Sequence, residues 1–202
     1  MGPGYLTSPL MLIIGTLFDL YLFLVLARFL LQALRADFYN PASQFIVRAT
    51  TPPLKPLRRI IPGFGRQDMA ALVLALILLM AKYFLLMALG AGVVDIGNAR
   101  VPIGQVGVIG LLLVAVAEII ATFINIFLFA IIVQVIMSWV NPGAYNPILG
   151  LVNQVARPVM QPIQRWIPPI GGLDLSPLFA TLGLMVAKML IIPPILYLAM
   201  ML

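Results

Sequence analysis

The sequence predicts an all-α integral membrane protein: four transmembrane helices arranged as two parallel, same-orientation helix–amphipathic loop–helix repeats. Three observations carry that expectation. Of 202 residues, 63% are hydrophobic and only 9% charged, against roughly 45–50% and about 25% in an ordinary soluble domain. Four continuous apolar stretches are each long enough to cross a hydrocarbon core of about 30 Å, which takes about 20 helical residues. The second half of the chain repeats the first at an offset of 106 residues. A chain this small cannot bury so much apolar surface in water. In lipid only helices or closed barrels satisfy the backbone, and continuous rather than alternating apolar stretches select helices.

The spans fall at residues 10–34, 69–92, 107–140 and 175–202. The third is too long for one upright crossing, so it tilts or begins outside the span at its spaced glycines, Gly104, Gly107 and Gly110. The chain therefore divides into a first repeat at 10–92, a short connection at 93–106 and a second repeat at 107–202. No basic region precedes the first apolar run, so a cleavable leader is not expected. The loop at 35–68 carries Arg35, Arg48, Lys55, Arg58, Arg59 and Arg66. The loop at 141–174 carries Arg157 and Arg165, and the connection carries only Arg100. Basic loop residues thus split eight to one. The positive-inside bias places both long loops in the cytoplasm, with both termini and the connection outside.

Residues 39–82 align without gaps on 145–188, with 15 identities in 44 positions. Tyr39-Asn40-Pro41 falls on Tyr145-Asn146-Pro147. Pro52, Pro56, Arg59, Ile61, Pro62, Gly65 and Asp68 fall on Pro158, Pro162, Arg165, Ile167, Pro168, Gly171 and Asp174. Prolines and glycines recurring in order do not arise from apolar drift. An even number of spans separates equivalent points, so the copies face the same way about an axis along the membrane normal. The offset continues into the first span of each copy: Asp19 falls on Asn125, Arg28 on Gln134 and Gln32 on Ser138.

This doubled pattern is Asn-Pro, then Pro-x-x-x-Pro-x-x-Arg-x-Ile-Pro, then Gly-x-x-Asp opening an apolar helix. It resembles the two YGGT repeats of the bacterial YggT family, related to the YlmG proteins, over nearly the whole chain. The resemblance implies a multi-pass protein of the bacterial inner membrane, with termini and connection periplasmic. It also implies links by association to osmotic tolerance and ion uptake. Relatives are linked to cell division, plastid nucleoid distribution and cytochrome b6 maturation.

In the loops, Asn40-Pro41 and Asn146-Pro147 read as helix starts, Asn capping free amides and Pro suiting the first turn. The first loop is expected to form a helix over 41–51, ended by Pro52 and Pro53, then a second piece over 54–61 ended by Pro62. Asp68 and Asp174 read as N-caps of the following spans. The structural loop motif is therefore Asn40, Pro41, Pro56, Pro62 and Asp68, with Asn146, Pro147, Pro162, Pro168 and Asp174. Lys55, Arg58, Arg59 and Arg165 are the candidates for anionic phospholipid or an acidic partner; fixing orientation alone is the competing role.

Asp19, Arg28, Lys82, Glu118 and Lys188 lie inside spans, where a charge costs about 2.5–3.5 kcal/mol at mid-helix. Arg28 can snorkel. Asp19 and Lys82 lie at matched depths, about nine and ten residues from the outer ends of their spans, so they are expected to pair. Lys188 is then left to Asn125 and Glu118. Asp19, Lys82, Glu118, Asn125 and Lys188 form a candidate intramembrane polar network, either cementing helices or lining an ion path. Ala71 with Ala75, and Gly183 with Ala187, have the spacing of packing faces.

Cysteine and histidine are absent. No catalytic, cofactor or metal site is therefore expected: Ser43 and Ser176 have no base, and Cys/His metal sites are excluded. An enzyme is not expected. Two readings remain, a component of ion and osmotic homeostasis or transport, and a membrane scaffold presenting basic proline-rich loops to protein partners. A homo-oligomer would suit the first, since four spans enclose little. Direct nucleic-acid binding is not expected.

Overall fold

The computed structural model describes residues 4–63, 67–97, 99–140, 146–167 and 174–202. Six helices and one hairpin follow in order. They are α1 (Gly4–Ala33), α2 (Pro41–Ile60), α3 (Met69–Ala88), β1 (Val94–Ile96), β2 (Ala99–Val101), α4 (Val108–Val140), α5 (Pro147–Trp166) and α6 (Ser176–Met200). A single 3-10 turn, Ile103–Gln105, precedes α4. Helices α1, α3, α4 and α6 are long and apolar enough to cross a membrane. The second span stops before its apolar stretch does, because Gly90 adopts φ +89° and Ala91 N–H donates back to the Leu86 carbonyl at 2.9 Å. This is the left-handed helix stop that glycine permits.

Each repeat packs its own two spans, α1 on α3 and α4 on α6, and α4 joins the halves by contacting α1 and α3. Small residues allow the close approaches. Ala71 and Ala75 are fully buried. A Cβ on Gly110 would sit 2.4 Å from the Ala199 carbonyl oxygen, so the start of α4 lies directly on the end of α6. Gly183 corrects the expectation for the fourth span: it is exposed with nothing near its Cβ position, and so faces lipid rather than a helix.

The repeats meet at two levels, and at the first the meeting residues are equivalent, which locates the axis between the repeats. Phe23 and Phe129, one offset apart, stack edge to face at 5.8 Å between ring centres. At the loop end, the Asn40 side chain donates to the Pro147 carbonyl. Gln154 Nε2 donates to the carbonyl of Arg35, the positive-φ residue that follows α1, at 3.0 Å. Surface helices α2 and α5 thus touch at one end of the bundle.

Both loop helices start as expected. Asn40 Oδ1 accepts from Ala42 N–H and Asn146 Oδ1 from Ile148 N–H, each at 2.9 Å, with proline in the first helical position. The expected break does not occur. Helix α2 runs unbroken through Pro52, Pro53 and Pro56. Proline at 53 cannot supply the N–H that the Ala49 carbonyl would accept. Tyr21 Oη supplies it instead, donating to Ala49 at 3.1 Å. At this carbonyl α1 supplies the donor that the proline removes.

Candidate functional site

Arg28 anchors the loop helix. It is buried rather than snorkelling, and its Nη1 donates to the Val47 carbonyl at 3.0 Å, Thr50 Oγ1 at 2.8 Å and Thr51 Oγ1 at 2.9 Å. These acceptors are polar groups on the underside of α2. The two Nη1 hydrogens are shared among three acceptors on the helix the guanidinium holds in place.

Asp68 occupies the N-cap position of α3 but makes no capping hydrogen bond. Its buried carboxylate pairs with Arg58, whose Nε donates at 3.1 Å. A charged donor from α2 is the stronger partner. Arg58, offered by the sequence as a candidate for anionic phospholipid or an acidic partner, is committed to a clamp within the chain. The second repeat reproduces the contact without the cation: Gln164 Nε2 donates to Asp174 Oδ2 at 3.1 Å. There the aspartate lies one residue before the N-cap, Leu175, and its Oδ1 accepts from Ser176 N–H, the first amide of α6, at 2.9 Å. Burial pushes the Asp174 carboxyl up, but the bonds from Ser176 and Gln164 outweigh it and leave the carboxyl below its ordinary value. Pro168 lies outside the described residues. Pro56, Pro62 and Pro162 are described, Pro56 and Pro162 within their loop helices and Pro62 just beyond α2.

The intramembrane charges meet each other. Lys82 Nζ pairs with Asp19, as depth predicts, and with Glu118 at 2.6 Å. Glu118 also accepts from Tyr83 Oη at 2.5 Å. Lys82, Tyr83 and Glu118 are buried, while the Asp19 side chain is 55% exposed. One lysine from the first repeat thus carries a carboxylate from each repeat. This corrects the placement of Glu118 opposite Lys188. Depth along a helix does not fix which way it is rotated, and Glu118 turns toward α3. Lys188 keeps its other expected partner, donating to Asn125 Oδ1 at 2.9 Å. It makes no ion pair among the described residues.

The connection is more than a link. Strands β1 and β2 pair antiparallel, Asp95 opposite Arg100. Ile96, Val101 and Ile103 are buried, so the hairpin tucks into the bundle. Gly97, at φ +62°, would place a Cβ 3.1 Å from Lys188 Cε. The sequence signal was available: alternating Val94, Asp95, Ile96 and then Ala99, Arg100, Val101 about a Gly-Asn turn is a hairpin pattern. The hairpin and the network border a cavity of about 250 Å³ lined by Asp19, Asp95, Glu118, Thr122 and Asn125. Among the described residues no group of three or more His, Cys, Asp or Glu side chains is suited to hold a metal ion.

Lys55, Arg59 and Arg165 are exposed on the surface helices and make no ion pair among the described residues. Arg48 joins Lys55 and Arg59 on one stripe of α2 by helical spacing, a member that sequence reasoning did not single out.

The family model described as CCB3/YggT matches this chain twice, over residues 7–89 and 113–195. The chain belongs to the CCB3/YggT family. The two matches are displaced by the same offset as the internal repeat, so the duplicated unit is the family's own. An uncharacterised Pseudomonas aeruginosa protein, PA0392, is 48% identical over 93% of this chain and 90% of its own length. Escherichia coli YggT, also described as uncharacterised, is 37% identical over 90% of this chain and 88% of its own. The chloroplast YlmG homolog protein 2 of Arabidopsis thaliana is 35% identical over 34% of this chain and 27% of its own. No solved structure matches.

Proposed function

We propose that this CCB3/YggT protein is a non-enzymatic component of ion and osmotic homeostasis in a bacterial inner membrane. Its termini and hairpin face the periplasm, and α2 and α5 face the cytoplasm. The basic residues concentrated on α2 and α5 support that orientation. One observation carries the functional reading. Lys82, held between Asp19 and Glu118, adjoins the cavity that Asp19, Glu118, Thr122 and Asn125 line within the spans. Fixed charges beside a space large enough for several waters are what stabilise an ion or proton partway across a bilayer. The hairpin covers this space, and a homo-oligomer would extend it into a path. The test is flux of K⁺, Na⁺ and H⁺ through liposomes holding purified protein. Flux lost in Asp19→Asn and Glu118→Gln supports the reading. No flux in the unaltered protein, or flux indifferent to both changes, overturns it.

The exposed stripe Arg48, Lys55 and Arg59 favours a second reading, a scaffold whose loop helices bind anionic phospholipid or acidic protein partners. Partners that co-purify with the unaltered chain and are lost from Lys55→Gln/Arg59→Gln would favour it. Arg58 is left untouched in that variant because it holds Asp68.

A further inference from the structure

The second repeat lacks two cations that the first repeat keeps. Arg28 and Arg58 fill the space between α1, α2 and the start of α3, and their counterparts are Gln134 and Gln164. The matching space in the second repeat is a cavity of about 490 Å³, bounded by Gln134, Ser138, Trp139, Met160, Asp174 and Leu178. Its polar groups are mismatched. Among the described residues Gln134 Oε1 is buried without a donor. Asp174 keeps its hydrogen bonds but has no cation among the described residues. A second cavity of about 250 Å³ shares Val135, Pro177 and Leu178 with the first. It continues between α4 and α6 past Ile131 and Thr181 and is almost entirely apolar.

We propose that the second repeat binds one phospholipid with a primary-ammonium head group, the ammonium taking the place of the two guanidinium groups and one acyl chain lying along the α4–α6 gap. The depth is right. Gln134 lies about 9 Å inside the end of α4 at 1.5 Å per residue, and exposed Trp139 marks the interfacial level. The donor count also selects the ligand. An –NH₃⁺ group has three donors, which suit the Asp174 carboxylate, the Ser138 hydroxyl and, once its amide turns into the cavity, the Gln134 carbonyl. A quaternary ammonium has none to give. An anionic head group without an amine brings like charge to Asp174. A protein side chain from a partner would supply the cation but leave the apolar gap unused.

The experiment is native mass spectrometry of the full chain in detergent, titrated separately with dioleoyl phosphatidylethanolamine, phosphatidylcholine and phosphatidylglycerol. The expected result is one retained phosphatidylethanolamine, with the other two lipids at least about tenfold weaker. Gln134→Arg, which restores the first repeat's residue, and Asp174→Asn should each lower that affinity by about tenfold without weakening the other two lipids. Leu178→Trp, on the lipid-facing wall, narrows the gap without touching the polar groups and should also lower it. Equal retention of the three lipids, unchanged phosphatidylethanolamine affinity in these variants, or a bound polypeptide in place of lipid overturns the proposal.

Discussion

The two repeats hold the same contacts with different charges. Asp19–Lys82 in the first becomes Asn125–Lys188 in the second, and Arg58–Asp68 becomes Gln164–Asp174. The partners stand the same distance apart in sequence in each copy, 63 residues for one contact and 10 for the other. Hydrogen-bond geometry therefore sets the architecture, and charge is an addition that one copy keeps. Charge in lipid demands local compensation. The first repeat achieves it internally and by drawing in Glu118, which has an apolar counterpart, Leu12, in its own copy. Among the described residues, the second repeat is left with a lysine lacking a carboxylate, a carbonyl lacking a donor and an open cavity.

The sharpest way to break this comparison is to remove each lysine in turn. Lys82→Met strands two carboxylates and is expected to cost about 3–5 kcal/mol, as does breaking a buried pair. Lys188→Met should cost less, about 1 kcal/mol, since one hydrogen bond to a neutral amide is lost and no carboxylate is stranded. Thermal unfolding of both variants in detergent measures the difference. Next in size is the anchor of the loop helix. Arg28→Met leaves the underside of α2 without its donor and should cost about 1–3 kcal/mol. Gln134→Met should be neutral or stabilising, because its Oε1 has nothing to lose. Hydrogen exchange across 41–60 would register the first as opening of α2.

Exchanging the clamps gives a smaller effect. Arg58→Gln should cost about 1 kcal/mol, because Arg58 is partly exposed while Asp68 is buried. Gln164→Arg should gain less than that, Asp174 being exposed. The smallest effect is on pH. A carboxyl held low in the folded state stabilises it above its unfolded value, about 3.9. That contribution is lost as pH falls through the folded value. The Ser176 amide signal should therefore titrate below the ordinary aspartate range, and Asp174→Asn should abolish the titration.

Much of this molecule was legible from its residues. Hydropathy located four spans, and Asn-Pro located two helix starts, because both signals are local. The Asp19–Lys82 pair was legible because a helix rises by a fixed amount per residue, which converts sequence position to depth. Rotation is not encoded that way, and so Glu118 was assigned to the wrong lysine. Helix α2 was expected to break at its prolines because the rescuing hydroxyl, Tyr21, lies 28 residues before the carbonyl it satisfies. The hairpin had a recognisable alternation, but its burial against Lys188 depends on the packed bundle.

The duplication with both copies facing one way underlies all of this, and the chain's lack of cysteine makes it directly measurable. Lys55→Cys on α2 and Arg157→Cys on α5, introduced singly, are to be treated in intact cells and in inverted vesicles with a membrane-impermeant maleimide. Both should react from the same side of the membrane, and Arg100→Cys in the hairpin from the other. Labelling of positions 55 and 157 from opposite sides would contradict the account.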